Sequence, residues 1–225
     1  MARPVNPPTR QYRSSLRQQQ VQLTRRTVFA AAHRLFLERG FAATTVAAVA
    51  AEAGVSPETI YASLGGKRGL LEGVIESTIL GPDSLPLQQQ IAWPRIEAMN
   101  NPHDRLAAFV QFVCDVLART SPVHAVIRGA SDSEEFAVAL RERLLHQRVK
   151  DIRTHLRRTL PDGVHGGLSW KQASERLAGL ASPELYHLLT VELGWTPRQH
   201  RDWLVGVVDT EVLGTPRDGT GHFSA

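Results

Sequence analysis

The part of this chain with the least conformational freedom is residues 40–71, GFAATTVAAVAAEAGVSPETIYASLGGKRGLL. Residues that stop or start helices punctuate it at both ends and in the middle. Gly40 ends a run in which Val28, Ala31, Ala32, Leu35 and Phe36 recur at i, i+3, i+4, the period of an amphipathic helix beginning near Thr24. Phe41 follows where an aromatic ring can fold back over that helix end. Thr44 or Thr45 is expected to cap a short helix from Val46 to Ala53, its hydroxyl accepting an orphan backbone N–H. Gly54 supplies a left-handed turn, and Ser56-Pro57 reads as N-cap plus first helical position of a second short helix ending at Leu64. Gly65-Gly66 end it. Lys67 to about Leu80 forms a fourth helix with Leu70, Leu71, Val74 and Ile75 on its inner face.

Two short helices separated by a three- or four-residue turn containing glycine follow the helix-turn-helix plan. Ala50 sits where the helices cross, and only a small side chain lets them approach. Val46, Val49, Val55, Ile60 and Leu64 are spaced to face inward and lock the crossing. Ser56, Pro57, Glu58, Thr59, Ala62 and Ser63 are left on the outer side of the second helix. In this plan that helix enters the DNA major groove with its N-terminal half against base edges.

These residues closely resemble the DNA-binding domain of the tetracycline-repressor (TetR) family. The resemblance rests on Gly40-Phe41, Thr44-Thr45-Val46, Ala53 to Ser56, Thr59-Ile60-Tyr61, Leu64, and Lys67 followed by Leu70-Leu71, all in order and spacing over 32 residues. A later stretch, SPELYHLLTVELGWTPRQHRDWL, also looks like the C-terminal region of such regulators, but is less diagnostic. The resemblance implies that Thr45, Tyr61 and Lys67 contact phosphates, and that Thr59, Ala62 and Ser63 reach bases or the adjacent backbone. Ala62 offers only methyl contact to a thymine, and Thr59 and Ser63 pair permissively. Glu58 has two readings: an acceptor for a cytosine amino group, or an acid favouring the helix dipole. Tyr61 also has two, a packed ring with a wet hydroxyl or a DNA contact; the surrounding motif favours DNA. The recognition helix departs from direct guanine reading in having no Arg.

Charge is distributed to match. Through Leu70 ten Lys and Arg face three acids, about +7; the remainder carries sixteen against nineteen, about −3. A basic first part suggests a polyanionic partner, unless it is merely a solvated tail. Arg10, Arg13 and Arg17 lie in a Pro-, Arg- and Gln-rich stretch read as a disordered arm that can be helical near its end and can enter the minor groove. That stretch has no apolar core, so no signal peptide is expected. No apolar run reaches the length of a membrane span, and no membrane partner is expected. The single cysteine, Cys114, excludes an internal disulfide and suits a cytoplasmic location.

Gly81-Pro82 and Pro86 mark a break. Beyond it, Asn101-Pro102 with Asp104, Ser131 with Glu134, Ser169 with Gln172, Ser182-Pro183, and Thr196-Pro197 with Gln199 read as helix starts. No segment alternates like a half-buried strand. The expected fold is all-α: a basic arm over 1–22, a helix-turn-helix domain over 23–80, a helical effector-binding and dimerisation domain over 81–215, and a tail over 216–225. Trp93, Phe109, Phe112 and His124 are candidate effector contacts, with Cys114 and Ile127 nearby; ordinary core is the alternative for each. Ala173, Leu177 and Leu180 mark one stripe, and Trp203, Gly206, Val207 and Thr210 another. Two such helices from each subunit make a four-helix dimer interface, unless both stripes serve the monomer core. The resemblance thus implies a bacterial regulator, a repressor released from a palindromic double-stranded DNA operator by an unknown small-molecule effector.

Two rival classes carry less weight. No HExxH, P-loop, GxSxG or spaced Cys/His set occurs, so neither catalysis, a metal nor a cofactor is expected. A module that kept the fold and lost DNA binding is opposed by the presence of Thr45, Tyr61 and Lys67.

Overall fold

The computed structural model describes residues 10–165 and 167–214, and every regular element among them is helical. The chain divides into two compact units, Met1–Val74 and Ile75–Ala225. The division falls within the helix Lys67–Leu80, ahead of the break at Gly81-Pro82.

In the first unit, α1 (Arg10–Ala43) bends at Gly40, whose φ of 74° is outside helical geometry. It starts at Arg10, within the stretch read as an arm that can turn helical near its end. From Arg10 to Arg39 there is neither Gly nor Pro, and Arg, Gln and Leu are good helix formers. Past the bend Phe41 stacks on Phe36 with ring centroids 5.7 Å apart. Thr44 is buried and donates to Leu35 O and Gly40 O, 3.1 and 2.8 Å, tying off the carbonyls that the bend exposes. Thr45 is the cap of α2 (Val46–Ala53), accepting from Ala48 N. Gly54 takes the left-handed conformation (φ 67°) and returns its N–H to the end of α2. Then α3 (Pro57–Leu64) starts on Ser56, and α4 (Lys67–Leu80) follows. Val46, Val49, Ala50 and Ile60 are buried, whereas Val55 and Leu64 are only partly so.

The second unit is built on two long helices, α7 (Pro102–Ala130) and α8 (Glu135–Thr159), preceded by the short α5 (Leu87–Gln90) and α6 (Trp93–Glu97). After them come α9 (Trp170–Leu180), α10 (Pro183–His187), a π-helical turn at Leu188–Glu192, and α11 (Pro197–Leu213). Asn101, Ser169, Ser182 and Thr196 cap their helices, and Ser169 and Thr196 close full capping boxes with Gln172 and Gln199. Ser131 does not begin a helix. It terminates α7 and donates to Ile127 O, because α7 stays helical through Ala130 and leaves α8 to start only after Glu134.

By length and average hydropathy α7 would suffice to cross a membrane. Here its apolar side is core: Leu106, Phe109, Val110, Cys114 and Leu117 pack with Ile152 and Leu156 of α8, Leu177 of α9 and Leu204 and Val208 of α11. His103 at the start of α7 makes Nδ1 contacts of 2.9 Å to both carboxylate oxygens of the buried Asp209 on α11. At the last turn of α4, Arg119 donates to Thr78 O and Ile79 O, and Gln90 Nε2 to Ile79 O and Leu80 O. These side chains satisfy carbonyls that a helix end leaves without intrahelical partners.

Candidate nucleic-acid interface and ligand cavity

The burial pattern of α3 gives it an inner and an outer side. Ile60 is fully buried, while Ser56, Glu58, Thr59, Tyr61, Ala62 and Ser63 are exposed and Pro57 is half-buried. The N-terminal turn of α3 is held by its own side chains. Ser56 Oγ accepts from Thr59 N at 3.3 Å and lies 3.1 Å from Thr59 Oγ1. The Glu58 backbone N–H and then the Ser56 hydroxyl hold the Glu58 carboxyl below its usual range. Ser63 Oγ donates to Thr59 O at 2.6 Å, so its hydroxyl offers lone pairs outward more readily than its proton.

Thr45 is exposed at the start of α2, its oxygen engaged as an acceptor and its O–H proton directed elsewhere. Tyr61 is 60% exposed, and no hydrogen bond to its hydroxyl occurs among the described residues. Its ring is positioned by Gly66: a Cβ built there would lie 3.0 Å from Tyr61 Cε1, and φ at Gly66 is +87°. A side chain at 66 would therefore both strain the backbone and displace the tyrosine. Lys67 Nζ donates to Ala42 O at 3.0 Å and stands 4.2 Å above the Phe41 ring, which fixes the ammonium between the end of α1 and the start of α4. The candidate residues Thr45, Ser56, Pro57, Glu58, Thr59, Tyr61, Ala62, Ser63 and Lys67 all belong to the first unit: the caps of α2 and α3, α3 itself and the first residue of α4. Arg34, which bridges to Glu38 and to Glu52 of α2, was not singled out by sequence reasoning. The eighteen-residue gap between Arg34 and Glu52 hides that pair from local pattern.

The second unit contains a cavity of about 140 Å³. Phe109, Phe112 and His124 line it, together with Val113, Val116, Leu117 and Ile152. Trp93, the fourth candidate, is not among the lining residues. It is buried beside His155 (5.4 Å between centroids), with the Arg158 guanidinium 4.3 Å over its ring. Apart from His124 the polar wall residues were missed: Thr120 of α7, and Gln147, Arg148, Asp151 and His155 of α8. Arg148, Asp151 and His155 are spaced i, i+3, i+7 and share a face with the core residue Ile152. Polar residues on an apolar stripe were the signal that could have found them.

Burial, and then the Arg148 charge, pull His124 down to about 4, so this imidazole is neutral at pH 7. Burial also lowers His155, whose Nε2 is buried without a hydrogen-bond partner. Burial pushes the Cys114 thiol up to about 12. No group of three or more His, Cys, Asp or Glu that could hold a metal occurs among the described residues.

The expected dimer stripe on α9 is corrected in part. Ala173 and Leu177 are fully buried in the core of their own unit, because α9 packs against α8 and α11 with that face. On α11, Gly206 and Thr210 are exposed and Trp203 and Val207 half-buried.

Residues 28–74 match the family model described as "Bacterial regulatory proteins, tetR family". No curated protein sequence matches the chain. Among solved structures, NalD of Pseudomonas aeruginosa, the secondary repressor of the MexAB-OprM multidrug efflux pump, is 18% identical, with a TM-score of 0.62 over 88% of this chain and 99% of that one. A protein from Syntrophomonas wolfei described as a TetR-family transcriptional regulator is 12% identical, with a TM-score of 0.69 over 84% and 95%. One from Saccharomonospora viridis, described as a transcriptional regulator in complex with choline, is 20% identical, with a TM-score of 0.63 over 85% and 98%. At these identities the likeness is one of fold. Residues 28–74 thus carry the likeness to the tetR family of bacterial regulatory proteins, and the chain shares the all-helical fold of solved structures described as regulators of that family.

Proposed function

We propose that the protein is a cytoplasmic homodimeric repressor that binds a palindromic operator and is released when a small molecule enters the cavity of the second unit. The observation that carries the DNA-binding part is the two-sidedness of α3. Ile60 anchors it, while Thr59, Tyr61, Ala62 and Ser63 are exposed, as is Thr45 at the cap of α2, and Lys67 is half-buried. In this reading Thr45, Tyr61 and Lys67 bind phosphates and set the register, and Thr59, Ala62 and Ser63 meet base edges. Ser56, Pro57 and Glu58 shape the helix start that approaches the groove.

One such helix reads too few base pairs for specificity, so two copies related by a two-fold axis are required. The outer face of α11 and the exposed Val191 and Leu193 (65% and 61%) support pairing through the second unit. A repressor and a choline-bound regulator of the same fold support the release step. Fluorescence anisotropy with duplexes tiled across the region upstream of the protein's own gene tests the reading. Nanomolar, salt-sensitive binding to one palindromic duplex, far tighter than to its scrambled version, is expected. Equal affinity for all duplexes would refute sequence-specific regulation.

A further inference from the structure

The cavity of the second unit has an uneven distribution of charge. Most of its wall is apolar, from Phe109, Phe112, Val113, Val116, Leu117 and Ile152. Arg148 on that wall has neither a hydrogen bond nor an ion pair among the described residues. Glu184 acts on it through space without reaching hydrogen-bond distance, and burial lowers the guanidinium's pKa. A guanidinium does not deprotonate in a protein, and a charge drawn out of water without a counter-ion is unfavourable. Arg148 therefore stands ready to receive an anion. His124, within the field of Arg148, is neutral and carries one N–H donor. Asp151 opposes an anion least where it is: its Oδ1 accepts from Gln147 Nε2 at 2.9 Å, and burial pushes its carboxyl up, toward the uncharged form. Size limits the rest. About 140 Å³ is close to the roughly 150 Å³ of a dry apolar cavity that holds benzene.

We propose that this cavity binds a small monocarboxylate with an apolar body on the scale of one aromatic ring, its carboxylate on Arg148 and His124 and its body among Phe109, Phe112, Val113 and Ile152. The link to gene regulation rests on the effector reading above; the binding itself does not. A bidentate guanidinium–carboxylate contact supplies direction as well as charge, and the apolar wall rejects acids with hydrophilic bodies.

Isothermal titration calorimetry on the full-length protein tests this with sodium benzoate, sodium phenylacetate, benzyl alcohol and choline chloride. Benzoate or phenylacetate is expected to bind at least about 10-fold more tightly than benzyl alcohol or choline, since a hydrogen-bonded charge is worth about that much or more. Arg148→Met should weaken carboxylate binding about 10- to 100-fold. Arg148→Lys, which keeps the charge but loses the fork, should weaken it less. Asp151→Asn should leave it equal or tighter. Circular dichroism verifies that each variant is folded, and Arg148→Lys carries the test if Arg148→Met is not. No heat from either acid at millimolar concentration, carboxylate binding indifferent to position 148, or choline binding lost in Asp151→Asn would each overturn the proposal. Anisotropy of an operator duplex with and without benzoate separates the two readings. Arg148-dependent binding that leaves DNA affinity unchanged upholds the ligand class and refutes the effector role.

Discussion

Replacing Tyr61 by Phe removes one oxygen atom from the outer side of α3 and nothing else. The hydroxyl has no hydrogen bond within the described residues, the residue is 60% exposed, and the ring would remain seated against Gly66. The folded state therefore loses no contact, and the stability change should stay within about 0.5 kcal/mol, as for other surface substitutions. On DNA the same oxygen is proposed to donate to a phosphate. A hydrogen bond to a charged group contributes about 1.5–3 kcal/mol, or roughly 10- to 100-fold in affinity per half-site. With two half-sites, a dimer should lose about 100-fold or more.

The salt response separates this residue from its neighbour. Tyr61→Phe removes no charge, so the slope of log K against log salt should not change. Lys67→Ala should flatten it by about one unit per half-site. The assay is anisotropy titration of operator and scrambled duplex across a salt series, with chemical denaturation of the free protein alongside. Both substitutions should weaken the two duplexes alike, since phosphates carry no sequence. Wild-type affinity in Tyr61→Phe would refute the phosphate role. A large fall in stability would show that the hydroxyl serves the fold.

Ile60→Ala, at a fully buried position, should destabilise the first unit by about 2–5 kcal/mol and abolish operator binding, as measured by urea denaturation and anisotropy. Thr59→Ala should change the ranking of single-base operator variants more than overall affinity, because its side chain is proposed to face base edges; a uniform loss would assign it to the backbone instead. Acid should destabilise the second unit through His124. Its folded pKa of about 4 lies below the ordinary histidine value of 6.5, so below pH 6.5 the unfolded chain takes up a proton that the folded one refuses. Stability attached to this residue is thus unaffected above pH 6.5 and declines as pH falls from 6.5 towards 4; thermal melts should show a shallower acid limb in His124→Gln. Deleting residues 1–18 should weaken binding to all duplexes and reduce the salt slope, and an unchanged slope would show that the stretch does not meet DNA.

Most of the first unit was legible because its signals are local. Thr45 to Leu64 contains a cap, a left-handed glycine, a second cap with Pro57 and a second glycine terminator, each acting within four residues of its partner. The same locality made Ser169, Ser182 and Thr196 readable as caps in the second unit. Where two local readings competed, neighbours decided. Thr44 and Thr45 are both plausible caps, and Thr44 is withdrawn because the carbonyls left open at Gly40 claim its hydroxyl. Ser131 and Glu134 looked like a helix start until α7 extended over Ala130.

The sequence by itself determined an all-helical chain with a helix-turn-helix and the outward residues of α3, since periodicity and capping act over one or two turns. Only the tertiary structure decided that Trp93 packs under Arg158 while Phe109, Phe112 and His124 line a cavity whose charged groups, Arg148 and Asp151, come from α8. Only it turned Ala173 and Leu177 toward their own core, and joined His103 to Asp209 across 106 residues. An apolar stripe records that a helix face is buried but not against what. A charged residue on such a stripe finds its partner, or lacks one as Arg148 does, through the packing of distant helices.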